Sequence, residues 1–175
     1  RDIDVAAYLP HSPLRVYVMG ERGAKREQAN QADIARMQEL TREAMAAGAM
    51  GFATSRLTIH RTSTGDFIPS YEAESRELTA IASAMGESGS GTLQMVPNLF
   101  VPWEEELGQL FAMAEASGGR PATFAYATGN VGEPAWERAL ELVDAANARG
   151  AQIHPQFIPR PIGIVAGFEL STHPF

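Results

Sequence analysis

The feature that most constrains this chain is a unit repeated four times: an amphipathic helix, a glycine that stops it, and a short apolar strand ending in polar residues. The strands begin near Ala49, Thr92, Ala122 and Ala151, a spacing of about thirty to forty residues, the size of one βα unit in a parallel sheet. The repeat predicts an α/β fold in which parallel strands alternate with helices. Chemistry in such folds sits at the carboxyl ends of the strands and on the loops that follow them.

Length then narrows the architecture. A complete eight-unit barrel takes about 250 residues, and this chain has 175. The expectation is a partial TIM-like (β/α) barrel, with residues 1–175 forming a single incomplete domain cut at both ends. The amino terminus, Arg1-Asp2-Ile3-Asp4, carries neither a methionine nor a signal-peptide pattern. An incomplete barrel leaves strand edges with unpaired backbone groups, so self-association through those edges is expected.

Along the chain, Val5–Leu9 reads as a strand, and the prolines of Pro10-His11-Ser12-Pro13 are expected to block a helix. Leu14–Met19 alternates with a two-residue period and reads as a further strand or extended segment, closed by Gly20. Residues 21 to 31 are polar and read as a loop. A helix is expected from Gln31 to Ala47, a strand over Ala49–Ala53, and a long polar loop from Thr54 to Pro69. The second helix is expected to start after Ser70 as its N-cap and to bury Leu78, Ile81, Ala82 and Met85. Gly86–Gly91 lies between a helix and a strand, the wrong order for a phosphate loop, and reads as a turn. Thr92–Val96 is the next strand. Pro102 then opens a helix whose Glu104, Glu105 and Glu106 read as a solvated first turn. Ala122–Ala127 is a strand, a helix runs past Trp136, Ala139 and Val143, and Ala151–Ile158 is a strand that Pro155 marks as an edge, bulge or kink.

Charge and composition exclude several functions. A formal net charge of -7 without a Lys/Arg stripe argues against a nucleic-acid surface. No apolar run approaches the roughly 20 residues that span a bilayer. With no cysteine there is no disulfide framework, thiol nucleophile or thiolate metal site, which is compatible with a reducing, cytoplasmic setting.

Candidate chemistry is concentrated in one stretch. The histidines His11, His60, His154 and His173 are scattered, with no His-x-His or HExxH spacing, so each taken alone reads as structural or surface. No G-x-S-x-G elbow is present, and Ser55 reads as a turn residue. Thr54–Ser63, however, brings two guanidiniums, an imidazole and several hydroxyls to the end of a buried strand. Arg56, His60 and Arg61 are therefore candidates for binding a carboxylate or phosphate through bidentate hydrogen bonds. Arg160, between Pro159 and Pro161, is a second candidate at another strand end. The catalytic residues stay unassigned, and no metal ligand is assigned.

Three segments carry a family resemblance: His11–Gly20, Glu43–Arg56 with His60-Arg61, and Gln156–Gly163. Together they resemble the amidohydrolase superfamily, in its N-acyl-D-amino-acid deacylase (D-aminoacylase-like) branch. The resemblance implies a TIM-like barrel that hydrolyses the amide C–N bond of acylated amino acids, or of related carboxylates, by zinc-activated water. Two of the family's metal-ligand histidines belong to strands resembling Thr92–Val96 and Ala122–Ala127, where this chain has Gln94, Val96, Tyr126 and Thr128. The expected function is therefore a section of a metal-dependent amidohydrolase, inactive alone, with no cofactor held by this chain and zinc implied for the whole protein. The alternative is a non-catalytic small-carboxylate-binding or structural module that has lost its metal.

Overall fold

The structure is a computed structural model and describes residues 2–126 and 135–157. Its elements run β1 (Leu9–Pro10), α1 (His11–Met19), α2 (Glu21–Ala24), α3 (Gln31–Ala46), β2 (Gly51–Ser55), α4 (Ser75–Gly86), β3 (Thr92–Val96), α5 (Trp103–Ala116), β4 (Ala122–Tyr126), α6 (Ala135–Ala148) and β5 (Ile153–Phe157). The five strands form one parallel sheet in sequence order, β1-β2-β3-β4-β5. A doubly wound sheet reverses strand order at a switch point; this one never does. Helices α3, α4, α5 and α6 pack each on the next. The result is an arc of a TIM-like (β/α) barrel, as the repeat predicts.

Strand alternation separates the two faces of the sheet. Phe52, Leu93, Met95, Ala122 and Phe124 are fully buried beneath the helices, which contribute Met37, Leu78, Ile81, Leu107, Leu110 and Met113. Each of the larger side chains, Ala122 excepted, stabilises the fold by roughly 1.5–3 kcal/mol. The residues between them, including Ala53, Ser55, Gln94, Val96 and Thr123, face the other way and are only half-buried. Gly51 is required where β2 begins: its φ is +146°, and a Cβ there would lie 1.9 Å from the Thr92 carbonyl oxygen.

Several local expectations are corrected. The segment Leu14–Met19 is not a strand but most of α1, and the prolines do not prevent that helix. Pro10 is its N-cap and Pro13 falls in the first turn, where an amide has no intrahelical acceptor to lose. The inward residues are His11, Leu14, Arg15, Val18 and Met19, a helical period concealed because two of them are polar while Val16 and Tyr17 point to solvent. In place of a strand over Val5–Leu9 there is only the two-residue β1. The polar stretch 21–31 includes the helix α2, and Asn30 with Asp33 forms a reciprocal capping box for α3. Helix α4 starts at Ser75 rather than after Ser70. Of the residues on α6, Ala139 and Val143 are buried, whereas Trp136 is 47% exposed. By contrast, β3 has its expected bounds, and Pro155 lies in β5, which among the described residues pairs only with β4.

Candidate functional site at the strand ends

Two adjacent residues at the carboxyl end of β2 lead to different chemistry. Thr54 points towards the helices, where its Oγ1 lies 2.8 Å from His11 Nδ1. His11 Nε2 is 2.6 Å from Glu77 Oε1, and Arg15 donates to both Glu77 oxygens at 2.9 and 2.8 Å. A carboxylate only accepts, so Nε2 carries the imidazole proton and Nδ1 accepts from the Thr54 hydroxyl. Arg15 also donates to the Glu27 carbonyl. Desolvation is the main influence on His11 and holds its pKa below the ordinary 6.5, against the opposing hydrogen bond and charge of Glu77. All four side chains are at least 96% buried, since the most exposed, Thr54, is at 4%. The order hydroxyl, imidazole, carboxylate is that of a hydrolytic triad, but no substrate can reach it. It fastens α1 to β2 and α4.

Ser55 points to the open face. Its Oγ lies 2.7 Å from Nδ1 of His60, which is exposed, and it also accepts from the Leu57 amide at 3.4 Å. The loop that follows is folded rather than slack. Arg61 and Phe67 form an antiparallel bridge, and Thr62, Thr64 and Asp66 close a short hairpin by hydrogen bonds among themselves. The far end of the loop is fixed by Ser70, whose hydroxyl donates to the Ser55 carbonyl at 2.8 Å and accepts from Ser12.

The expected binding residues thus fall in different settings. Arg56 is 15% exposed, and its Nε donates to Glu106 at 3.0 and 3.2 Å. Glu106 also accepts from the Asn98 amide at 2.9 Å, joining the loops after β2 and β3. This corrects the view of Glu104–Glu106 as a uniformly solvated helix start: Glu106 is 2% exposed, while Glu104 pairs with Arg138 on the surface. The Arg61 guanidinium lies 3.6 Å from the centre of the Phe67 ring, which stacks on Tyr71 at 4.2 Å. Arg160 lies outside the described residues. The sequence alone does not mark His11, Glu77 and Glu106 as interacting groups; the helical spacing of His11 and Arg15 is the one available signal.

The described residues do not fit a zinc centre. They contain no cluster of three or more His, Asp or Glu side chains placed to hold an ion. Gln94 faces the open side but is a neutral amide, and Tyr126 faces the helices, where its hydroxyl donates to the Trp136 carbonyl at 2.9 Å. His154 is exposed on β5 in register with Thr123, which is in turn in register with Gln94, with no carboxylate in that row.

The sequence matches no family model and no curated relative. Three solved structures of D-aminoacylase do share its shape. One comes from work on the functional role of that enzyme's binuclear metal centre, with a TM-score of 0.73. Another is a D-aminoacylase mutant in complex with copper chloride, with a TM-score of 0.72, and a third, at 0.73, is described as defining a novel subset of amidohydrolases. Each is 21% identical to this chain and covers 90% of it, while the chain spans 31% of their length. Over about a third of their length, then, the D-aminoacylase structures and this chain have the same fold.

Proposed function

We propose that this chain provides a section of the substrate-binding face of an amidohydrolase-type barrel acting on the amide C–N bond of an acylated amino acid or related carboxylate. Its part is recognition, and the chain alone has no turnover. The observation that carries this reading is the Arg61 guanidinium over the face of Phe67, its carbon 3.6 Å from the ring centre, on the same loop as the Ser55–His60 pair. A cation–π contact orders the guanidinium without using its N–H donors, which suits capture of a carboxylate. Arg56, held by Glu106, positions the loop. No hydrolytic step is assigned to the described residues, since they do not form the zinc centre of the implied family chemistry.

The lack of a metal cluster among the described residues favours a second reading, a carboxylate-binding module without catalysis. Hydrolysis of N-acetyl-D-amino acids by the 175-residue chain, with metal analysis, tests inactivity: turnover with stoichiometric zinc overturns it. A thermal shift with small carboxylates, lost in Arg61→Gln, supports recognition; no shift overturns it. Self-association through the edges of β1 and β5, unpaired among the described residues, belongs to the same proposal, and a monomer in light scattering at high concentration counts against it.

A further inference from the structure

Two cations converge on one aromatic ring in the β2 loop. The Arg61 guanidinium carbon lies 3.6 Å from the Phe67 ring centre and that of Arg26 lies 5.5 Å from it. The two charges are therefore within about one Debye length of each other. Neither forms an ion pair among the described residues, although seven other described arginines do. The acidic neighbours in sequence are engaged elsewhere: Glu27, next to Arg26, pairs with Arg22 at 3.1 Å, and Asp66, next to Phe67, accepts from Thr64 Oγ1 at 2.8 Å in the hairpin turn. Arg120 and Arg149 also lack such a pair, but only Arg26 and Arg61 share one aromatic ring among the described residues.

The backbone shows that Arg26 is held there. It follows α2 in the left-handed region with φ +62°, where helices ordinarily use glycine because a Cβ is strained. Its Nη1 donates to the Phe67 carbonyl at 3.3 Å, tying the end of α2 to the hairpin that carries Arg61. Like charges repel, and an anion shared between them removes that repulsion while receiving charge-assisted hydrogen bonds from both.

We infer that Arg26 and Arg61 together bind a small dianion, either a dicarboxylate or a phosphate monoester, with Phe67 as the platform that orders both guanidiniums. This rests on the reading of Arg61 given above and adds a second charge to the ligand it selects. The test is calorimetric titration of the full chain with succinate, inorganic phosphate and acetate. At least one dianion should bind about tenfold or more tighter than acetate, because it gains a second charged contact. Preference for succinate alone indicates a dicarboxylate ligand, and preference for phosphate alone a phosphate monoester. Arg26→Gln should bring the ratio to acetate within about threefold, Arg26→Lys should retain most of the preference, and unchanged thermal unfolding would show that both variants fold. Equal binding of acetate and both dianions, or a preference untouched by Arg26→Gln, overturns the inference. If acetate binding still depends on Arg61, the carboxylate reading survives that failure; if Arg61→Gln has no effect on any ligand, both fall.

Discussion

Thr54 and Ser55 are consecutive, each holds a histidine through a short hydrogen bond to Nδ1, and the two pairs do different work. Thr54, His11 and Glu77 are sealed between sheet and helices, whereas Ser55 and His60 lie on the open side. The separation follows from strand geometry, because neighbouring side chains leave a strand on opposite faces. Triad-like distances alone do not make an active site. Accessibility decides between a fastening and a reactive group, and here the more complete constellation is the inaccessible one.

The largest test of that contrast removes the carboxylate. Glu77→Ala leaves the buried Arg15 without its partner and should destabilise the chain by about 3–5 kcal/mol in urea unfolding. A loss below about 1 kcal/mol would show that the buried network fastens nothing. Acidification should act in the same direction. His11 has a folded pKa below 6.5, so the unfolded chain takes up the proton first. Its contribution is therefore fully present above the unfolded value and is lost as pH falls from there through the lower folded value. A His11→Gln variant should show a flatter dependence in that window, and an unchanged slope would sink the assignment.

Smaller and more direct is the comparison of the two hydroxyls. Thr54→Val leaves a buried imidazole nitrogen without its donor and should destabilise by about 1–3 kcal/mol. Ser55→Ala, on the open face, should stay within about 0.5 kcal/mol of the parent. Similar losses for the two would erase the distinction. The finest difference is chemical: diethyl pyrocarbonate should modify His60 in the folded chain and reach His11 only after unfolding, as read by peptide mass spectrometry. Modification of native His11 would mean that its pocket opens.

Much of the fold could be read from sequence where one period dominated. Thr92–Val96 and the apolar stripe Leu78, Ile81, Ala82 and Met85 on α4 are set by local patterning, and both stand as expected. Helix α1 could not be read that way, since its buried face includes His11 and Arg15, residues normally assigned to solvent. The basic loop after β2 was legible as a place, but the partners of its residues were not. Glu106 reaches Arg56 across 50 positions, and Glu77 reaches His11 across 66. No local pattern encodes a pairing over such distances.

Periodicity and glycine stops by themselves determined the alternation of helices and parallel strands, because each depends on residues a few positions apart. The tertiary structure alone decided which charges became anchors and which stayed without a carboxylate partner among the described residues. That choice depends on desolvation, and a side chain's exposure is settled only when distant elements pack against it. Arg56 met Glu106 and became a support for the loop, while Arg61 met the face of Phe67 and has no carboxylate partner among the described residues.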